Sequence, residues 1–300
     1  MPVSSTSRDP FELIAENRSR DPHRFKAYRY DRTHGDCWRE VVEGCLKSWR
    51  IKADAFYERV SETGFKKIGL DRILNTHGRT QLPPTPQEDH TVTKEPAITD
   101  MTEVLALKVF EWKEQELVLP YPRVLHKESF KLQHHGIDAL GYREDPEGYY
   151  TLYVIEVMAS VENNHPPATV KRHLNQILPE TLNAPDPERL LQDLQTVHDE
   201  SSDEHRSILN GFIIATLDGA LSSTDSVMAT PILIRRHGEF HENDWTPFFK
   251  GTALFEQAKI PSTVYFVAVE CHDSFSGMLD LIKQTASAFN ESEIENAEDK

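Results

Sequence analysis

Three hundred residues with 38% apolar content suffice for one large domain, or for one core with a smaller appendage, and the chain is expected to be globular. A net charge of −16 argues against a free-standing, non-specific nucleic-acid binder, because attraction to phosphate supplies most of such affinity. Cys37, Cys45 and Cys271 are odd in number and show no Cys-x-x-Cys spacing, which indicates neither a zinc knuckle nor a disulfide framework and makes a reducing cytoplasm the expected setting.

The first twenty residues lack an apolar core of signal-peptide length, and the longest apolar runs, such as residues 263–269, are strand-sized, so no membrane segment is expected. Charge is unevenly spread. Residues 1–80 carry 16 Lys and Arg against 12 Asp and Glu, a balance of +4, whereas the remainder carries 17 against 37, a balance of −20. Any electropositive face for nucleic acid is expected from the N-terminal part, although +4 over eighty residues is also what an ordinary surface carries.

Residues 36–76 read as helices. Trp38, Val41, Val42, Cys45, Leu46 and Trp49 recur at three- and four-residue spacing, with basic residues such as Lys47 beside them. Residues 1–80 are therefore expected to form an N-terminal helical module. The stretch 81–98 is proline-rich, poor in apolar residues and aperiodic, and reads as a linker to a core spanning 99–290. A helix opens that core. Asp100 and Glu103 stand at capping-box spacing ahead of an almost continuous apolar run, so capping accounts for Glu103 unless it faces a site. His126, His134 and His135 fit no common zinc spacing.

The central stretch, 134–160, reads as two strands joined by a tight turn. Asp145-Pro146-Glu147-Gly148 supplies turn chemistry, and residues 149–157 are rich in β-branched and aromatic side chains. Side chains alternate faces along a strand, so Leu152, Val154, Glu156 and Met158 share one face, while Thr151, Tyr153, Ile155 and Val157 share the other. A carboxylate late in an apolar strand is costly to bury unless it is paired or holds a cation, and Asp138 on the neighbouring strand offers a second oxygen ligand. Mg²⁺ or Mn²⁺ is the simplest occupant.

Beyond the hairpin, residues 168–178 read as a helix with Lys171 in its first turn, 183–207 as a short amphipathic helix ending in an acidic loop, and 210–217, 229–235 and 263–270 as strands. Residues 274–289 read as a closing helix and 291–300 as an acidic disordered tail. This order of elements indicates an α/β or α+β fold with a mixed central sheet flanked by helices. There is no G-x-x-x-x-G-K-[ST], G-x-G-x-x-G or G-x-S-x-G, which excludes the common ATPase, dinucleotide and serine-hydrolase signatures.

Asp138 on one strand, a turn, then a hydrophobic strand ending in Glu156 with a third position at Met158 resembles the signature of the PD-(D/E)XK nuclease superfamily. Within it, the wording around Asp138 and Glu156 is similar to the nuclease subunits of the Hachiman anti-phage defence system, which work beside a helicase partner. The likeness spans roughly residues 96–290 and finds nothing comparable in the first 95. It implies a restriction-endonuclease-like core that cleaves nucleic acid, chiefly DNA, with Asp138, Glu156 and the Val157 carbonyl holding Mg²⁺ or Mn²⁺ and with Glu103 as an accessory acidic residue. One position departs from the pattern, because Met158 stands where the superfamily has its lysine and carries no ammonium. Cleavage is therefore expected to be impaired, unless Lys171 reaches back as a migrated lysine. Two other readings fit the same residues: a nuclease fold serving as a DNA-binding or regulatory module, and an unrelated α/β protein in which Asp138 and Glu156 make structural hydrogen bonds.

Overall fold

A computed structural model describes residues 9–17, 23–33, 35–49, 96–126, 137–172, 188–221, 226–236, 240–250 and 260–285. Six strands form one mixed sheet: β1 (Phe11–Glu16), β2 (Arg24–Tyr30), β3 (Ala139–Glu144), β4 (Tyr150–Ser160), β5 (Val227–Arg236) and β6 (Thr263–Cys271), in the spatial order β1-β2-β6-β5-β4-β3. The inner strands β4, β5, β6 and β2 are mutually parallel, and an antiparallel strand closes each edge, β3 on β4 and β1 on β2. Parallel strands covered on both faces need side chains that are apolar on both faces. Accordingly all nine residues of β6 and all but the last of β5 are buried.

The helices are α1 (Gly35–Trp49), α2 (Pro96–Lys113), α3 (Ala168–Arg172), α4 (Glu188–Glu200), α5 (Asp203–Leu217), α6 (Thr246–Lys250) and a last one, α7, over residues 275–285. On one face of the sheet, Val41 and Cys45 of α1, Leu105 and Phe110 of α2 and Leu279 of α7 pack on Ile155, Ile232, Val267 and Val269. On the other, Leu190 and Leu194 of α4, Phe212 of α5 and Phe248 of α6 pack on Val154, Met158, Leu233 and Phe266. The alternation expected along β4 is thus the observed one. The hairpin turn also forms as its residues dictate: Asp145 Oδ1 accepts from the N–H groups of Glu147 (3.0 Å) and Tyr149 (2.8 Å), and Gly148 takes φ of 86°, which side chains with a Cβ rarely adopt.

Three expectations are corrected. Residues 1–80 are not a helical module set apart from the core: β1 and β2 belong to the central sheet, and α1 packs against α2. The helical reading holds for α1; residues 50–80 and most of the expected linker lie outside the described residues. The linker's last residues, 96–98, are the first turn of α2, with Ala97 and Ile98 buried. Residues 210–217 are not a strand but the second half of α5. Only Leu209, Phe212 and Thr216 of that helix are buried, a three- and four-residue spacing, while Ile214 and Leu217 are exposed.

The N-terminal excess of cations is in part used internally. Lys26 pairs with Glu114 (2.7 Å), Arg32 with Asp273 (2.5 Å) and Arg29 with Glu270 (3.8 Å), which join the basic N-terminal segment to the acidic remainder. Lys47 is exposed on α1.

At the carboxyl ends of β4 and β5 lies a fully buried ion pair. Arg235 Nη1 donates to both oxygens of Asp244 (3.1 and 3.0 Å) and to the carbonyl of Asn164 (3.3 Å), and Nη2 donates to the carbonyl of Glu162. Asp244 also bonds His165 Nδ1 (3.0 Å) and accepts from the His241 N–H (3.1 Å). The connection after β4 and the turn after β5 are thereby fastened to one guanidinium–carboxylate centre.

Candidate functional site

Glu156 lies in β4, four residues from its end, and is 3% exposed. Asp138 precedes β3 rather than lying on it, since β3 begins at Ala139. The antiparallel register pairs Ala139 with Ile155 and, continued by one residue, sets Asp138 opposite Glu156. Directly opposed residues of an antiparallel pair point to the same face. Asp138 Oδ2 accepts from the Val157 N–H at 2.7 Å, so its carboxylate caps the edge of β4 where β3 has not yet begun.

The Val157 carbonyl shares that edge. Leu152 N–H donates to Ser226 O (2.9 Å) on the β5 side, so even-numbered residues of β4 direct their backbone groups to β5 and odd-numbered ones to β3. Val157, half-buried on the opposite face from Glu156, therefore turns both N–H and C=O towards Asp138.

The backbone carrying Asp138 is held from both sides. Asp193 of α4 accepts the Ile137 N–H (3.1 Å) with Oδ2 and pairs through Oδ1 with Arg123 (2.5 Å), and Arg123 Nη1 donates back to the Ile137 carbonyl (3.3 Å). Arg123 and Asp193 are both buried. They were not singled out from sequence: Arg123 lies in a single 3-10 turn (Arg123–His126), Asp193 in an acidic helix, and nothing local announces that they meet.

Burial pushes the Glu156 carboxyl well above the ordinary glutamate range; the Asp138, Asp193 and Glu103 carboxylates push it further, and the Arg189 guanidinium opposes them. Glu156 Oε1 is buried and has no hydrogen-bond partner. Glu103 is also buried, and the capping role expected for it falls away, because α2 already begins at Pro96 and Asp100 is a buried acceptor for Ser48 Oγ (3.0 Å) rather than a cap. Its carboxylate is near enough to act on Glu156.

Met158 shares the Glu156 face as expected but is 1% exposed within the apolar cluster formed with Leu190, Leu194 and Leu233. Lys171 is exposed on α3, and its charge is not one of the larger influences on Glu156. His134 and His135 lie outside the described residues, as does the side chain of His126.

A carboxyl group with an orphaned buried oxygen, facing a second carboxylate and a strand carbonyl, suits a hard divalent cation, whose ligands are oxygens. Such a cation would draw on Asp138, Glu156 and the Val157 carbonyl; among the described residues no three His, Cys, Asp or Glu side chains form a ligand group by themselves.

A consequence for stability follows. A glutamate whose folded pKa is raised binds its proton more tightly when folded, so its contribution is complete below the ordinary value of 4.5 and is lost as pH rises through the folded value. In metal-free buffer the melting temperature is expected to fall as pH climbs above that range, and Glu156→Gln, neutral throughout, is expected to flatten the slope. Parallel melting curves for the two proteins would sink this assignment.

Among the described residues, no helix is long and apolar enough to cross a membrane. No protein-family model matches the chain, and no curated protein sequence matches it.

Proposed function

We propose that this chain is a metal-dependent nuclease subunit that cleaves phosphodiester bonds, chiefly of DNA, in anti-phage defence beside a helicase partner. One observation carries the chemistry: Asp138 and Glu156 stand opposite each other at the open edge of β4, with a buried Glu156 oxygen that has no hydrogen-bond partner. The hairpin's resemblance to PD-(D/E)XK nucleases supports the reaction class, and its likeness to Hachiman nuclease subunits supports the setting. A balance of −20 over residues 81–300 fits delivery of the substrate by a partner that supplies the positive charge.

In this reading Asp138 and Glu156 would hold Mg²⁺ or Mn²⁺ as carboxylates, Glu156 giving up its proton as the ion binds, with the Val157 carbonyl as a neutral ligand. When bound, the ion polarises the scissile phosphate and acidifies an attacking water. Asp138 is kept in place by its bond to the Val157 N–H, and Ile137 beneath it is clamped by Asp193 and Arg123, so the oxygen ligands are oriented before binding. Glu103 adds negative charge from α2.

Mn²⁺ is expected to raise the melting temperature of the native chain, and Asp138→Asn is expected to abolish both that stabilisation and plasmid cleavage. An unaltered Mn²⁺ response in Asp138→Asn would end the reading. A non-catalytic DNA-binding or regulatory subunit is the second reading, favoured by the burial of Met158 in an apolar cluster where the superfamily has lysine. It predicts Mn²⁺ binding without cleavage, with or without the partner.

A further inference from the structure

We infer that His241 is an acid-sensitive cap, which holds the segment after β5 down on the sheet while the ring is neutral and releases its first turn when the ring takes up a proton. The inference rests on hydrogen-bond geometry at the carboxyl ends of β4 and β5 and is independent of the nuclease reading. His241 precedes a 3-10 turn (Glu242–Asp244) that leads through Trp245 into α6. Its Nδ1 accepts the Asn243 N–H (3.1 Å), and its own backbone N–H donates to Asp244 Oδ2 (3.1 Å), so ring and carboxylate cap the turn reciprocally. The turn secures aromatic side chains that lie on the sheet. Trp245 stacks on Phe25 with centroids 4.4 Å apart and 9° between planes, and Phe248 packs on Phe266 at 5.0 Å.

A ring nitrogen that accepts an N–H bond carries no proton, so neutral His241 keeps its proton on Nε2. A second proton can enter only at Nδ1, where the Asn243 N–H already points, and protonation and capping therefore exclude each other. Serine, threonine and asparagine cap helical turns without such a condition. Imidazole is the side chain that ordinarily changes charge between about pH 5 and 8. His165 is arranged in the opposite sense. Its Nδ1 bonds Asp244 Oδ1 (3.0 Å), a carboxylate that already accepts from Arg235 and therefore accepts here too, so Nδ1 carries the proton and Nε2 the lone pair. A proton added at Nε2 leaves the bond to Asp244 in place. The two rings stand 5.0 Å apart, so charge on His165 opposes charge on His241 and favours their separation once both are protonated. Of the other charged groups around the pair, Arg235 is committed to Asp244 and to the carbonyls of Glu162 and Asn164, Glu162 Oε2 accepts the Ala168 N–H (2.8 Å), and Glu242 is exposed in the turn itself. His237 and Glu239 lie outside the described residues. Acid thus undoes the cap at His241 while the Arg235, Asp244 and His165 bonds persist, and the release is confined to the turn and the aromatic side chains it carries.

The test follows amide hydrogen exchange of the full chain by mass spectrometry at about pH 8 and about pH 5, the ends of the ordinary imidazole range, with rates corrected for the intrinsic pH dependence of exchange. A cap of this kind typically shifts a local opening equilibrium about fivefold. Peptides covering residues 242–250 of the native chain are expected to lose protection by about that factor on acidification, while peptides of β5 and β6 hold theirs. His241→Asn, which supplies an acceptor that does not titrate, is expected to keep protection at both pH values, and His241→Ala to lack it at both. His165→Gln is expected to retain the acid response. No loss in the native chain, a loss of native size in His241→Asn, or native protection of His241→Ala at about pH 8 would each overturn the inference. Disappearance of the response in His165→Gln would place the sensor at His165 and overturn it likewise, and so would a loss shared by all six strands, which would mark global unfolding.

Discussion

Arg235→Met is expected to destabilise the protein by about 3–5 kcal/mol, because it leaves the Asp244 carboxylate buried with its principal countercharge removed. Both side chains are fully buried, so no solvent takes the place of the guanidinium. Methionine fills much of the volume, yet it provides no donor for Asp244 or for the carbonyls of Glu162 and Asn164. For a chain of this size the loss corresponds to a fall in Tm of roughly 10 °C. The companion variant Arg235→Met with Asp244→Leu removes both charges and is expected to recover part of the loss. Chemical denaturation of the two variants settles the point: a single variant within about 1 kcal/mol of the native protein would mean that the pair contributes no more than an exposed one.

Deleting residues 1–30 is expected to abolish folding rather than to remove an appendage. Phe11, Phe25, Tyr28 and Tyr30 are all nearly completely buried. Burial of such side chains contributes about 1.5–3 kcal/mol each, so the four together amount to about 6–12 kcal/mol. That is comparable with the entire stability of a typical domain, about 5–15 kcal/mol. The deletion also turns β6, buried along its whole length and mostly apolar, into an edge strand, a form prone to pair with other chains. Soluble, monomeric truncated protein with native circular dichroism would refute this and restore residues 1–30 to the status of an accessory segment.

What the sequence disclosed depended on how local the signal was. β5 and β6 were legible because a strand buried on both faces is an apolar run, and the β3–β4 turn because Asp145, Pro146 and Gly148 have few other uses. β2 carries a strand signal of its own. In RFKAYRY, Phe25 and Ala27 face one side of the sheet and Tyr28 and Tyr30 pack on the other, while the intervening Lys26 and Arg29 are paired with Glu114 and Glu270. The strand's two-residue period is interrupted by charges that look like surface. In α5, the β-branched run around Ile213 and Ile214 suggested a strand, and only the spacing of Leu209, Phe212 and Thr216 distinguishes it. At the site, Asp138 and Glu156 could be paired from sequence because a short hairpin fixes their register. Arg123 and Asp193 could not, since they meet the hairpin through tertiary packing alone.

The pairing of β2 with β6 also sets a timetable. Arg24 stands opposite Tyr265 and Tyr30 opposite Cys271, so the two partners are separated by about 240 residues of chain, the kind of non-local contact that forms late. At roughly 5–20 residues per second on the ribosome, the first two strands wait about 12–50 s for the strand that completes them. Throughout that interval β2 has its hairpin partner along one edge and none along the other. Nascent chains of this protein therefore carry β2 with one edge unpaired through that interval, and the demand this places on chaperones is lifted only when residue 271 emerges.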